Sequence, residues 1–253
     1  MTTQEQLKQS HAVLDQPSRE SKASNIIRLI EGCAGSLSHR DVLDVGTGSG
    51  FIASALAQRA GSFLSVDVND ERLIRDFDFL QVESERLPCS DETCDVVVSN
   101  HVIEHVNDQR LHLQEVARVL RPDGLCYLAT PNRWRIVEPH FKLPFLSWLP
   151  PRLRDPYVRL TDRGDWFDVQ PLTYGGIDDL AASAGLTCTD LTPEMVALSL
   201  GDRVALPLRV ARPAWFAIRQ LLPTFVVALR KYPSLGSGLQ AIRAAQSGST
   251  EGR

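Results

Sequence analysis

Paired cysteines are absent from this sequence of 253 residues. The five cysteines are odd in number, scattered and nowhere spaced as C-x-x-C, at Cys33, Cys89, Cys94, Cys126 and Cys188. A disulfide framework and a cysteine zinc site are therefore not expected. A reducing compartment is the environment that this cysteine usage fits.

Long apolar runs are lacking as well. No uncharged stretch reaches the ~20 residues that a membrane-spanning helix requires. Residues 1–22 are polar and contain no apolar signal core. We therefore expect a cytoplasmic protein without a membrane-spanning helix.

Excess positive charge is the third missing feature. The sequence has 27 Lys and Arg residues against 31 Asp and Glu residues, which gives a formal net charge of −4. This balance does not indicate a nucleic-acid partner. Because 43% of the residues are hydrophobic, the chain can form one complete α/β domain with insertions.

The stretch VLDVGTGSG at 42–50 is the most informative part of what is present. Its apolar start suits a buried parallel strand, and FIASALAQRA after it suits a helix that begins just after Gly50. Glycines between a strand and a helix let backbone N–H groups approach a ligand closely, and that ligand is usually a nucleotide. A dinucleotide fingerprint requires glycine or alanine where this sequence has Phe51, which disfavours an NAD-dependent oxidoreductase.

Strands and helices alternate along most of the chain. After one or two helices within residues 4–34, the pattern predicts strands at 41–46, 63–67, 78–83, 95–100 and 125–130. A helical stripe precedes the last of these strands, and Pro122 and Gly124 are expected to end that helix. Further along, the sequence predicts a helix near 173–184, a strand at 186–192, a helical region at about 202–221 and a closing strand at 223–231.

This alternation predicts an α/β fold with a doubly wound, mostly parallel, seven-stranded Rossmann-like sheet, which binds its ligand at the carboxyl ends of the strands. We expect an N-terminal helical segment at 1–35, a main domain at 36–232 and a flexible tail at 233–253. Residues 133–170 are rich in proline and aromatic side chains and do not fit the alternation. They are interpreted as an insertion after the fifth strand, on the acceptor side of the domain.

The spacing D-x-G-x-G-x-G from Asp44 to Gly50 resembles the first motif of class I S-adenosylmethionine (SAM) dependent methyltransferases. Two further segments resemble the same family, in its branch that methylates ubiquinone precursors or glycans. They are FLSVD, which ends at Asp67, and VESERLPCSDETCDVVVSNHVIEHV at 82–106. The likeness covers about residues 40–132 and 173–192 and the closing strand. It implies SAM as the cofactor.

Roles for individual residues follow from this resemblance. Asp67 would accept hydrogen bonds from both ribose hydroxyls, a geometry that suits a carboxylate. Glu83 would accept from the adenine amino group, the Ser84 N–H would reach an adenine ring nitrogen, and Leu87 would pack on the ring. The Asn100 carbonyl would face the methionine ammonium. The cofactor-binding residues that the resemblance implies are Asp44, Gly46, Thr47, Gly48, Gly50, Asp67, Val68, Glu83, Ser84, Leu87 and Asn100.

One departure from the family pattern concerns the segment after Asp67. Only fifteen residues separate Asp67 from Glu83, where the family usually places a complete helix before its third strand. We therefore expect the helix beside the adenine site to be short or missing.

Two histidines are candidates for chemistry. SAM supplies the reactivity in methyl transfer, whereas the protein supplies alignment and excludes water. A general base helps when the methyl acceptor is a hydroxyl. His105, beside Glu104 just past the fourth strand, and His140 in the insertion could fill this role. Alternatively, His105 could hold the loop in shape and His140 could be packed among aromatic residues.

A metal site is not expected from the sequence. His101 and His105 are four residues apart and could share one helix face as a ligand pair. No further Cys or His near them completes a coordination set.

These features favour a SAM-dependent methyltransferase that acts on an oxygen of a bulky, partly apolar small molecule, glycan or lipid-linked glycan. The alternative is a non-catalytic partner subunit that binds SAM or a nucleotide. In the insertion, RWRIVEPHFKLPFLSWLPPRLR interleaves aromatic and basic residues. This pattern predicts either peripheral contact with the inner membrane surface or a hydrophobic lid over the acceptor.

Overall fold

The computed structural model describes residues 16–200 and 219–232. Three predictions therefore lie wholly or mostly outside the described residues. They are the beginning of the N-terminal helical segment, most of the helical region at 202–221 and the flexible tail at 233–253.

Six α-helices and seven strands are present in the described part of the chain. In chain order they are α1 (Gln16–Ala34), β1 (Asp41–Val45), α2 (Phe51–Ala57), β2 (Ser62–Asp67), β3 (Phe79–Gln81), β4 (Cys94–Asn100), α3 (Gln109–Val119), β5 (Leu120–Pro131), α4 (Pro151–Leu160), α5 (Tyr174–Ser183), β6 (Leu186–Asp190), α6 (Thr192–Leu200) and β7 (Thr224–Lys231). Short 3₁₀ helices lie at Leu146–Trp148 and Arg219–Leu221.

All seven strands form one sheet in the order β3-β2-β1-β4-β5-β7-β6. Neighbouring strands are parallel except at β7, which runs antiparallel to both β5 and β6. The predicted mostly parallel, doubly wound sheet is confirmed. The strand order reverses between β1 and β4, so a ligand is expected at the carboxyl ends of these strands.

Alternation along the strands divides the core between the two faces of the sheet. Leu43 of β1 and Val97 of β4 point towards α3 and α5, which contribute residues such as Val116 and Ile177. The neighbouring strand residues point to the opposite face, where α1, α2 and α6 cover the sheet. Since both faces are buried, the strands read as continuous apolar runs.

The boundaries of several elements differ from the predictions. Helix α3 ends at Val119, before Pro122 and Gly124, because Leu120 is already extended and pairs with Cys94 of β4. The register then shifts, and the next pair joins Val96 to Leu125. Strand β3 ends at Gln81, two residues earlier than predicted. Helix α6 was not predicted at all.

The segment between β2 and β3 contains no helix, as expected from its length. It folds back onto the glycine turn instead, since the N–H groups of Leu73 and Ile74 donate to the Ser49 carbonyl at 3.0 and 3.3 Å. The guanidinium of Arg72 lies 3.8 Å from the ring centre of Phe79. A loop thus occupies the place of the missing helix.

The insertion at 133–170 has a small core of its own. Leu143, Leu146 and Val158 are buried together, and Phe141 and Phe167 pack against them. Helix α4 begins at Pro151, a residue whose fixed φ suits the first turn of a helix. The insertion is therefore a folded unit attached to the end of β5.

Candidate active site

A cleft of about 1590 Å³ lies at the carboxyl ends of β1, β2 and β4. Ten of the eleven predicted cofactor-binding residues line it: Asp44, Gly46, Thr47, Gly48, Asp67, Val68, Glu83, Ser84, Leu87 and Asn100. Gly50 is the exception. His105 also lines the cleft, whereas His140 stands beside His105 and is not part of the wall.

The three glycines of the turn all have positive φ, for different reasons. A Cβ on Gly46 would overlap the side chain of Val102. At Gly50, where φ is +86°, a Cβ would lie 2.7 Å from the Ile74 carbonyl oxygen of the overlying loop. At Gly48, where φ is +51°, a Cβ would meet nothing within 4 Å, because the turn opens into the cleft. Glycine at position 50 is therefore required by the close packing of the loop that contains Ile74. Glycine at position 48 leaves space in which a ligand can approach the backbone.

Asp67 holds the glycine turn from the end of β2. One of its carboxylate oxygens accepts from the Gly48 N–H at 3.0 Å, and the other accepts from the Asn69 N–H at 3.2 Å. A carboxylate has lone pairs for further donors, so both oxygens can still accept from a ligand. The carboxylate thus joins the turn to the point where a ribose is predicted.

A buried hydrogen-bonded chain lies beneath the turn. The Ser65 hydroxyl donates to Asp44 at 2.7 Å and lies 2.6 Å from the Thr47 hydroxyl. Since the single Ser65 proton is used on Asp44, Thr47 is the donor in the second bond. Burial, with a smaller contribution from the charge of Asp67, raises the pKa of Asp44 to about 7. A cation in the cleft would favour ionisation of this carboxyl group.

The predicted adenine side follows β3. Glu83 and Ser84 are exposed beyond the strand, and Leu87 is buried. Two residues of α3 that the sequence interpretation missed hold this loop. Glu115 accepts from the Leu87 N–H at 2.9 Å, and Arg118 donates to the Leu87 carbonyl at 2.9 Å while pairing with Glu115. Their spacing of three on one helix was the available signal.

The N-terminal helix also reaches the site. Arg19 of α1 lines the cleft and donates to the Ser49 hydroxyl in the glycine turn at 2.7 Å. Nothing in the sequence pattern linked Arg19 to this turn, because the two residues are thirty positions apart.

His101 and His105 do not share a helix face, so the ligand pair that their spacing allowed is not formed. Residues 101–106 form turns, His101 has a left-handed φ of +60°, and α3 begins only after its N-cap Asp108. His101 instead contacts the fully buried Glu104, with 3.1 Å between its Nδ1 and the carboxylate. Thr130 donates to the other Glu104 oxygen at 3.0 Å.

His105, which lines the cleft, packs against His140 of the insertion. Their ring centroids are 4.8 Å apart and their planes are perpendicular. One ligating atom each from Glu104, His105 and His140 lies within 4.8 Å of the others. His140, 35 positions along the chain from His105, thus joins His105 and Glu104, a grouping that the sequence spacing did not indicate.

His140 has a dedicated carboxylate partner. Its Nδ1 lies 2.7 Å from Glu138, whose other oxygen accepts from the Phe141 N–H at 2.6 Å. Glu138 is 1% exposed. Its hydrogen bond raises the pKa of His140, whereas burial is the largest cause that lowers the pKa of His105. The bond fixes the His140 ring and leaves its Nε2 available.

The remaining wall of the cleft comes from the insertion and from α6. Arg135 and Asp168 contribute charged groups, and Met195, Val196 and Leu200 contribute apolar surface. The lining of the cleft thus combines the ends of β1, β2 and β4 with charged and apolar groups from the insertion and α6. It is large enough for a nucleoside cofactor together with a second molecule.

This strand order, with a reversed β7 and a glycine turn after β1, defines the class I SAM-dependent methyltransferase fold. Residues 43–128 match the family described as a methyltransferase domain, Methyltransf_11. These 86 residues of the chain are therefore similar to a methyltransferase domain, and the sheet has the fold of the class I SAM-dependent type.

Individual relatives agree with this assignment. A probable S-adenosylmethionine-dependent methyltransferase of Mycobacterium tuberculosis is 39% identical over 100 residues, 37% of this chain and 36% of the relative. A ubiquinone biosynthesis O-methyltransferase of Parvibaculum lavamentivorans is 30% identical over 168 residues, 59% of this chain and 60% of the relative. The chain thus spans between about a third and three fifths of the length of these curated relatives.

A solved structure shows the same fold. The S-adenosylmethionine-dependent methyltransferase of Mesorhizobium loti superposes with a TM-score of 0.54 at 14% identity, over 81% of this chain and 96% of that one.

Proposed function

We propose that this protein transfers a methyl group from SAM to an oxygen of a bulky, partly apolar acceptor. The observation that carries the proposal is the single cleft that runs from the glycine turn and Asp67 to His105. A donor at one end and an acceptor at the other could be aligned for in-line displacement within it.

The cofactor end uses the residues that the cleft brings together. The Asp67 carboxylate binds the ribose hydroxyls, and Leu87 with the exposed Glu83 and Ser84 binds adenine. Asn100, at the end of β4, presents its carbonyl to the methionine ammonium. Asp44 acts from beneath the turn as a buried anion that attracts the positively charged cofactor.

The buried Asp44 gives the cofactor a pH-dependent affinity. With a pKa of about 7, Asp44 is protonated below neutral pH in the free protein. A cationic ligand favours the ionised form, so binding lowers this pKa and releases a proton. SAM affinity should therefore rise by up to about tenfold per pH unit below 7 and level off above it.

Calorimetric titration between pH 5.5 and 8.5 measures this slope. Asp44→Asn should remove it, and S-adenosylhomocysteine, which lacks the sulfonium charge, should show a weaker slope. A pH-independent affinity in the wild-type protein would exclude a role for Asp44 as the anion beneath the cofactor.

At the acceptor end, His105 and His140 are the residues that we expect to promote loss of the acceptor proton. A hydroxyl must lose its proton as the new bond to carbon forms. His105 lines the same cleft as the predicted cofactor residues, and His140 packs against its ring. The similarity to a ubiquinone biosynthesis O-methyltransferase supports oxygen as the accepting atom.

An exposed aromatic ledge on the insertion supports a lipid-linked or membrane-derived acceptor. We define it as Trp134, Phe145 and Trp148, which are 44%, 49% and 43% exposed and contact one another edge to face. None of the three lines the cleft, which favours a surface role over a lid. Exposed aromatic groups flanked by cations such as Arg152 suit the boundary between lipid headgroups and acyl chains.

Residues 203–231 form a second basic stretch, with six basic residues and no acidic one. Three of these six residues are engaged within the protein. Arg219 pairs with Asp190, Lys231 pairs with Glu92, and Arg230 donates to the Cys33 carbonyl. Arg203, Arg209 and Arg212 lie outside the described residues. Among the described helices, none has the length and apolar character needed to cross a bilayer. Membrane contact is therefore proposed for the ledge alone.

Co-sedimentation with vesicles tests the ledge. The wild-type protein should sediment with vesicles that contain anionic lipid, and less so as salt is raised, because exposed charges are screened. A Trp134→Ala, Trp148→Ala double variant should lose most of this binding, whereas Trp166→Ala, which removes an exposed aromatic residue outside the ledge, should retain it. Absence of sedimentation at low salt would contradict the membrane role and leave a freely diffusing bulky acceptor.

Transfer of labelled methyl groups tests the proposed activity. The protein is incubated with methyl-labelled SAM and separate polar and lipid extracts, and labelled products are identified by mass spectrometry. Methyl ethers formed only with protein would support an O-methyltransferase. SAM binding without any product would favour the alternative, a non-catalytic partner subunit.

A further inference from the structure

We propose that Glu104, His105 and His140 form a binding site for a divalent cation of the Zn²⁺ type at the acceptor end of the cleft. The three residues come from two distant parts of the chain. Glu104 and His105 follow β4, and His140 belongs to the insertion. One ligating atom from each lies within 4.8 Å of the other two.

The geometry of the two rings suits a shared cation. Two imidazoles that bind one ion through nitrogen at ~2.1 Å have ring centroids roughly 4.6–5.3 Å apart, for bond angles between a right angle and a tetrahedral one. The observed centroids are 4.8 Å apart. Ligands of one tetrahedral ion lie roughly 3.4 Å from each other. The distances between the ligating atoms would therefore shorten by up to about 1.4 Å on binding, a change that the exposed His105 side chain can make.

The residues that hydrogen-bond to the proposed ligands resemble the outer coordination shell of a metal site. Glu138 is buried and holds Nδ1 of His140, so that Nε2 is the nitrogen left for a cation. Carboxylates commonly orient metal-binding histidines in this way. Glu104 is fully buried and is itself held by Thr130 and His101.

The local charge also favours a cation. Three carboxylates act on the histidine pair: Glu104 and Asp168 on both rings, and Glu138 on His140. Two imidazoles with one carboxylate form a donor set typical of Zn²⁺ and similar ions, whereas Mg²⁺ prefers oxygen ligands alone. Three protein ligands leave a coordination position open for a substrate oxygen.

The chemical role of the cation rests on the proposed function. The acceptor hydroxyl would bind at the open position, where the cation lowers its pKa and its proton passes to solvent. The resulting oxygen anion attacks the methyl carbon, the O–C bond forms as the S–C bond breaks, and the sulfur keeps the electron pair. In this role the histidines promote proton loss indirectly, through the cation that they bind. The preferred acceptor is then a phenol or a sugar hydroxyl, whose oxygen can bind the cation.

Zinc titration of the chelator-treated full chain tests the proposal. The wild-type protein should bind one equivalent of Zn²⁺ by calorimetry and by metal analysis after dialysis. His105→Ala and His140→Ala should each weaken binding at least 100-fold, and Glu138→Gln should weaken it about 10–100-fold. His39→Ala removes an exposed histidine elsewhere and should bind as the wild type does.

Two further measurements keep the outcome interpretable. The SAM affinity of each variant reports whether the cleft is still folded. Co²⁺ bound in place of Zn²⁺ should give a visible absorption band. Both His140→Ala and the isosteric Glu104→Gln should change that band. Zn²⁺ binding that is absent in the wild type, or unaffected in both histidine variants, overturns the proposal. Intact SAM binding without Zn²⁺ binding would refute the cation site alone, whereas Zn²⁺ binding without SAM binding would refute the proposed function alone.

Discussion

Replacing His105 or His140 with alanine is expected to slow methyl transfer by about 10²–10⁴-fold while SAM affinity changes little. The two imidazoles are in contact and are the proposed promoters of proton loss from the acceptor oxygen, so their removal should affect that step. Because Asp67 would keep its hydrogen bonds to the Gly48 and Asn69 N–H groups, the cofactor should still bind. Initial rates at saturating SAM, with calorimetry on the same preparations, measure both effects.

His39→Ala is the matched control, since it removes an exposed histidine far from the cleft. It should retain the wild-type rate. If both active-site variants also retain that rate, alignment of the two substrates is sufficient for catalysis and the histidine pair is structural. A direct proton-accepting role and a cation-binding role predict the same loss of rate. Only the second role predicts that a chelator reduces the wild-type rate and that Zn²⁺ restores it.

Asp67→Ala is expected to weaken SAM binding by about 1.5–3 kcal/mol, or roughly 10–150-fold, because it removes charged hydrogen bonds to the ribose. The same carboxylate accepts from the Gly48 N–H, so the variant should also loosen the turn on which the cofactor is proposed to lie. Asp67→Asn keeps one acceptor oxygen and should show a smaller loss. The dissociation constants are measured by calorimetric titration.

Asp179→Ala on the exposed surface of α5 provides the control for the loss of one carboxylate, and its SAM affinity should equal that of the wild type. Thermal unfolding of each variant separates a loosened turn from a general loss of stability. An unchanged SAM affinity in Asp67→Ala would show that the ribose is held by other groups.

The sheet and the residues that line the cleft around the glycine turn were predictable because their signals are local in sequence. Each buried strand is a run of apolar residues, and the turn after β1 requires glycines within a few positions of one another. The absent helix after β2 followed from counting residues between Asp67 and Glu83. In each case the information lies within one short segment, and the parallel sheet then brings the strand ends together.

The contacts that the sequence did not reveal are those between distant segments. His140 meets His105 only because the insertion folds back over the end of β4, and Arg19 reaches Ser49 only because α1 lies across the sheet. The spacing of His101 and His105 allowed a shared helix face, which is absent because the backbone at His101 is left-handed. Helix α6 was missed because its residues are apolar on several sides and show no clear stripe.

The central claim is that the cleft binds SAM as a methyl donor, and a calorimetric comparison of SAM with NAD⁺ tests it most directly. The turn geometry predicts one equivalent of SAM bound per chain, competition by S-adenosylhomocysteine, and no heat of binding with NAD⁺. Binding of NAD⁺ together with failure to bind SAM would contradict the account.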